Sequence, residues 1–196
     1  MPRSEIDLSP AISAAKEVFW RQGYDDASIE QVVQATGLNR YALYNAFGGK
    51  LEIFIAALDS YCAERKNVFL DSLNNLSDSP MRAIESFFEF AINEMAERSA
   101  GCLMCDVALE VGRHEKIVSR QVEKYLQEIK CSYIEALRQA EALGDLNPAI
   151  SPEEGADLLV AIKLGLGVHA KNGAGKQEML KIFYPVIAVL SRGRVQ

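Results

Sequence analysis

SIEQVVQATGLNRYALYNAFGGK, residues 28–50, divides into two short helices around a glycine turn. Ser28 and Gln31 stand in the S-x-x-Q spacing of a capping box, where each side chain satisfies a backbone N–H of the other residue. Ile29, Val32, Val33 and Ala35 form an apolar stripe at helical spacing. Thr36-Gly37 ends the helix, since glycine accepts the left-handed conformation of a helix terminus. Leu38 plugs the turn, and Asn39 is a good cap for the next helix. Leu43 and Phe47, four apart, face inward, which leaves Arg40, Tyr41, Ala42, Tyr44 and Asn45 on the outer arc.

This pattern predicts a helix-turn-helix, whose second helix enters the major groove with its first residues near base edges. Arg40 can fork onto guanine or hold a phosphate, and Asn45 can pair with adenine or a phosphate. Tyr41 offers a ring for a thymine methyl together with a hydroxyl. Tyr44 and Lys50 are placed for backbone phosphates, which set register rather than sequence preference. With the two caps, the candidate DNA-binding set is Ser28, Asn39, Arg40, Tyr41, Ala42, Tyr44, Asn45 and Lys50. A plain helical hairpin with surface tyrosine and arginine would satisfy the same pattern.

Outward from this stretch, every long segment reads as helix. Ser9-Pro10 starts a first helix, with serine as cap and proline in the first turn. Ile12, Ala15, Val18 and Phe19 form its core face, and Gly23 ends it. A long helix follows over 50–74, another from Ser79-Pro80 to about Arg98, a short one over 102–112, and a long one over 114–143. Gly144-Asp145 and Asn147-Pro148 stop the last of these. Ser151-Pro152-Glu153-Glu154 combines a cap, a first-turn proline and a box glutamate, opening a helix to about Lys171. A turn at 172–175 leads to a final helix over 176–191. The fold class is therefore all-α, with about nine helices: a three-helix unit at 1–48, a connecting helix at about 49–74, and a bundle at 75–196.

Composition limits the partners. A chain of 196 residues with 49% hydrophobic residues can bury a sizeable core, while a net charge of −6 argues against a general polyanion binder. Residues 1–66 hold seven Lys and Arg against nine Asp and Glu, a net −2. Few phosphates can be neutralised per subunit, so non-specific DNA affinity is weak. No stretch approaches the ~18 apolar residues that cross a bilayer. MPRSEIDLSP has no apolar signal core. The four cysteines lack disulfide-scaffold density, so the expected location is the cytoplasm.

Residues 9–58 resemble the N-terminal domain of TetR-family transcriptional regulators. The resemblance rests on Ala14-Ala15 and Phe19, Gly23-Tyr24, Ser28-Ile29, Ala35-x-Gly37 and Leu43-Tyr44-x-x-Phe47-x-x-Lys50-x-x-Ile53-Phe54, with no gap. Ala46 stands where the family often has histidine, and Tyr41 where a small residue is common. The resemblance implies a homodimeric repressor that binds a palindromic operator and is released by a small-molecule effector. It implies an effector-binding and dimerisation domain at 75–196, with an effector cavity among the helices between 79 and 137. Phe87, Phe88, Phe90, Met95, Met104, Leu109, Tyr125 and Tyr133 are candidate lining residues, although such stripes also serve as plain packing. It also implies that the last two helices build a four-helix dimer interface. Leu159, Ile162, Leu166, Phe183, Ile187 and Leu190 are the candidate interface residues, and Gly165 and Gly167 would allow close helix approach.

Cys102 and Cys105 form a C-x-x-C pair at the start of the short helix. A helix N-terminus favours thiolate, so a redox couple is open, as is a metal site completed by His114 or His169. The rival reading to effector release is thus a thiol or metal sensor on the same scaffold. No elbow serine, zinc-protease signature, phosphate loop or dinucleotide fingerprint is present, so neither an enzyme nor a bound cofactor is expected.

Overall fold

The computed structural model describes residues 7–76, 78–98, 101–109 and 115–193. Among these, the helices are α1 (Ser9–Asp26), α2 (Ile29–Thr36), α3 (Arg40–Phe47), α4 (Lys50–Asn75), α5 (Pro80–Arg98), α6 (Leu103–Leu109), α7 (Lys116–Ala142), α8 (Pro152–Lys171) and α9 (Lys176–Leu190). A lone bridge pairs Leu146 with Ser191.

The head, α1–α3, closes on the start of α4. Ala15, Phe19, Val32, Leu43, Ile53 and Phe54 are buried together. The rings of Phe19 and Phe54 meet edge-on at 5.0 Å. Two details of α1 differ from the sequence reading. Ser9 is not the cap; its N–H donates to the Asp7 carboxylate at 3.0 Å, so the acidic residue two positions earlier does that work. Gly23 is a kink rather than an end, with φ 80° and ψ 174°, and one more turn carries the chain to Asp26. Ala35 is exposed, so the inward stripe of α2 is Ile29, Val32 and Val33.

The body is built by α4–α9 around an aromatic stack. Phe183 of α9 lies parallel to Phe88 of α5 at 4.6 Å, and Phe88 faces Tyr133 of α7 at 5.8 Å. Phe87 and Tyr133 both meet Phe69 of α4 edge-on, at 5.0 and 5.3 Å. The buried cluster runs without a break from head to body. Gly167 lets α6 lie against α8, because a Cβ there would come within 2.9 Å of Cys102 Cβ. Gly165 faces open space instead, so it does not serve a close approach inside the chain.

At the start of α8, Ser151 Oγ accepts from Glu154 N at 3.2 Å, and Glu154 Oε2 accepts from Ser151 N at 2.9 Å. The reciprocal bonds hold the Glu154 carboxyl below the usual carboxylate range. Ser151→Ala is expected to lower the unfolding free energy by about 1 kcal/mol, read as a shifted urea midpoint at constant slope.

Candidate nucleic-acid interface

Local chemistry sets the geometry of the two short helices. The Ser28–Gln31 capping box is complete, with Gln31 N donating to Ser28 Oγ at 3.2 Å and Ser28 N donating to Gln31 Oε1 at 2.7 Å. Gly37 takes φ 69°, and its N–H returns to Val33 O at 3.1 Å. Asn39 Oδ1 accepts from Ala42 N at 2.8 Å, which fixes the first turn of α3. Leu43 is fully buried and Phe47 half-buried, so the opposite arc of α3 faces solvent.

That arc carries Arg40, Tyr41, Tyr44 and Asn45. Tyr41 is 81% exposed, an unusual state for a large ring. Ala42, expected on the arc, is half-buried, because the Asn39 cap draws its backbone inward. Ser28 and Asn39 lie at the N-termini of α2 and α3, with one side-chain oxygen each committed to capping. Arg40 is held in place by Glu30 at 3.0 Å and lies 5.7 Å from the centroid of the Tyr44 ring. Both partners of that ion pair are well exposed, so displacing Glu30 costs at most about 1 kcal/mol. The Lys50 ammonium lies 4.5 Å from the Tyr24 ring centroid and donates to Asp25 O at 3.4 Å, at the junction of α1 and α4.

The head is bolted to the body. Trp20 Nε1 donates to Gly101 O at 2.8 Å, and the Arg98 guanidinium covers the Trp20 ring at 4.6 Å while pairing with Glu17. Lys16, buried on α1, pairs with Glu64 on α4. Sequence reasoning passed over Trp20, whose partner lies 81 residues away. The lone tryptophan of the chain was the available signal.

The pocket candidates divide. Phe87, Phe88 and Tyr133 form the aromatic stack, and Met95 and Met104 are buried. Tyr125 lies 6.3 Å from Tyr61, with its hydroxyl buried and unpartnered. Phe90 is 43% exposed beneath the Arg65 guanidinium and does not face inward. The side chain of Leu109 and all of His114 lie outside the described residues. A cleft of about 250 Å3 opens between α4 and α7, lined by Asp59, Cys62, Lys66, Gln121, Lys124 and Tyr125 among others.

Five of the six expected interface residues are core residues instead. Leu159, Leu166, Phe183, Ile187 and Leu190 are buried within the chain, and Ile162 is half-buried. Both faces of α8 and α9 are apolar, so periodicity could not say which one the chain covers for itself. The uncovered face carries Leu158, Ala161, Gly165, Val168 and Val189, flanked by half-buried Ile162, Ile182 and Val186.

Two of the thiols, Cys62 and Cys105, are disfavoured as thiolates by burial. Cys102 Sγ lies 3.4 Å from Tyr61 Oη, and Cys105 Sγ points to Leu164 O at 3.7 Å. Burial pushes Cys105 up to about 11 and Cys62 up to about 12. Among the described residues, no group of three or more His, Cys, Asp or Glu side chains could hold a metal ion. No helix among them is long and apolar enough to cross a membrane.

Comparisons with known proteins agree with this architecture. Residues 11–57 match the family described as bacterial regulatory proteins, tetR family, and residues 80–179 match the tetracyclin repressor-like C-terminal domain. YezE of Bacillus subtilis, an uncharacterized HTH-type transcriptional regulator, is 28% identical over 145 residues, spanning 73% of this chain and 74% of its own. The HTH-type transcriptional repressor ComR of Escherichia coli is 25% identical over 186 residues, spanning 90% and 85%. Among solved structures, the TetR family transcriptional regulator CifR, complexed with 26-base-pair double-strand operator DNA, superposes with a TM-score of 0.81. Its identity is 25%, over 96% of this chain and 98% of that one.

Proposed function

The chain belongs to the TetR family of bacterial transcriptional regulators, and from that premise we propose that it is an operator-binding homodimeric repressor released by a small organic effector. The protein is a DNA-binding regulator rather than an enzyme. The observation that carries the proposal is the solvent-facing arc of α3, where Arg40, Tyr41, Tyr44 and Asn45 stand on a head locked to the body. That CifR is seen with operator DNA and that ComR is named a repressor support the same reading.

In this reading Tyr41 and Asn45 reach base edges, and Arg40 exchanges Glu30 for guanine or phosphate. Ser28, Asn39, Tyr44 and Lys50 set the register on the backbone, helped by the N–H groups of the helix starts. The functional division follows the chain: residues 1–48 read DNA, α4 transmits, and 75–196 bind effector and pair with a second copy. Pairing uses the outer faces of α8 and α9, and places two copies of α3 about one helical turn of DNA apart, roughly 34–36 Å. Release needs only a difference in effector affinity between two head spacings. About 3 kcal/mol of such coupling changes DNA affinity by more than a hundredfold. The path is short, because α4 carries head residues Ile53 and Phe54 at one end and cleft-lining residues Asp59, Cys62 and Lys66 further along.

The test begins by selecting bound duplexes from a random pool. Arg40→Ala and Tyr44→Ala are each expected to weaken binding of the selected duplex about tenfold or more, the loss of roughly 1–3 kcal/mol of contact. Sedimentation of both variants is expected to match the parent. Gel-shift affinity that stays unchanged in both would remove α3 as the recognition helix.

A further inference from the structure

Lys163 lies on α8 with 5% of its surface exposed. Among the described residues its ammonium makes no hydrogen bond or ion pair, and the Phe87 ring, 5.2 Å away, is its contact. Glu94 is the carboxylate whose field reaches it, yet Glu94 is taken by Arg65 through two bonds and by Arg98 at 3.6 Å. An unpaired buried ammonium costs several kcal/mol, so it calls for a physical reason.

Further orphan atoms lie in the body. Among the described residues, the hydroxyls of Tyr125 and Tyr133 are buried without a partner, as are Arg65 Nε and Gln121 Oε1. Phe87 joins Lys163 to Tyr133, lying 5.2 Å from the Lys163 ammonium and 6.3 Å from the Tyr133 ring, and Tyr125 stands about two turns before Tyr133 on the same buried face of α7. Buried polar groups left unpaired in this number call for a partner, whether water or a ligand. Lys163, the two phenols and Arg65 Nε can each donate a hydrogen bond, and Lys163 can do nothing else when charged, whereas Gln121 Oε1 only accepts.

We propose that Lys163, with the Tyr125 and Tyr133 hydroxyls, forms the anchor of a site for a small aromatic carboxylate, which acts as the effector. The inference rests on the effector reading above and names its chemical class. One negative charge would compensate Lys163, and two carboxylate oxygens would accept from the phenols. The mutually packed rings of Phe87, Phe88 and Tyr133 suit a flat apolar body that slides among them and exclude the hydration shell of a phosphate dianion. Tyr125 belongs both to this core and to the α4–α7 cleft, so the cleft is the entrance. Filling it presses on α4 and therefore on the head.

The experiment uses benzoate and phenylacetate beside their neutral amides, benzamide and phenylacetamide, with calorimetry and release of the selected duplex as readouts. In the parent protein the acids are expected to bind at least tenfold tighter than the amides and to release DNA. Lys163→Met removes an uncompensated buried charge, so it is expected to fold; in it the acid preference disappears, while Lys163→Arg keeps it. Tyr125→Phe and Tyr133→Phe are each expected to weaken the acids and spare the amides. Acids that bind no better than amides in the parent, or equally well in Lys163→Met, overturn the site. Amides that release DNA as well as the acids would overturn the anion class and leave the effector reading standing. A parent protein that selects no duplex would instead remove the regulator reading, while acid binding by calorimetry would remain measurable.

Discussion

Replacing Leu158 and Val189 together with glutamate is expected to give a folded monomer that binds the selected duplex at least a hundredfold more weakly. Leu158 is 37% exposed and Val189 53% exposed, on the faces of α8 and α9 that the chain leaves uncovered. Contiguous exposed apolar surface of this kind marks an interface. Burying four carboxylates across a two-fold axis would cost far more than the apolar contact returns. The large effect on DNA follows from charge. One head, with net −2 over residues 1–66, neutralises few phosphates, so two heads must bind together for useful affinity. Sedimentation and gel shift measure the two effects separately. A dimer that survives the double substitution would move the interface elsewhere.

The second large effect is on stability. Phe183→Ala is expected to lower the unfolding free energy by about 3–5 kcal/mol. At roughly 2–4 °C per kcal/mol for a chain of this size, the melting temperature falls by about 6–20 °C. Phe183 has no exposed surface and lies flat on Phe88, which in turn faces Tyr133. Removing the ring opens a cavity at the meeting point of α5, α7 and α9, where rigid aromatic neighbours cannot collapse. Calorimetry, with sedimentation unchanged from the parent, is the check. A melting temperature within about 2 °C of the parent, together with a monomer, would mean that the inner and outer faces of α9 are reversed. The two predictions thus bracket one helix, with stability read on the inside and assembly on the outside.

The boundaries of α2, α3 and α8 were legible because their signals are short. Ser28–Gln31, Gly37, Asn39 and Ser151–Glu154 each act within four residues, and each makes the bond that its spacing implies. The candidate DNA arc was legible for the same reason, since Leu43 and Phe47 define the inner face of a two-turn helix. The weak points were also local. At Ser9, a carboxylate two residues earlier outcompeted the expected hydroxyl cap. At Gly23, a positive φ produced a kink where an end was expected.

The sequence by itself determined the all-α class, the helix-turn-helix and the order of the helices, because capping bonds, turn conformations and apolar periodicity depend on neighbours within a turn or two. Tertiary structure alone decided which apolar face of α8 and α9 is core, that Trp20 ties the head to Gly101, that Glu30 guards Arg40, and that Lys163 is left buried against the Phe87 ring. Each of these depends on which side chains arrive from ten to more than eighty residues away. A helix carrying apolar residues on two faces satisfies the same local rules whichever face turns inward; only the packing of the other helices removes that degeneracy.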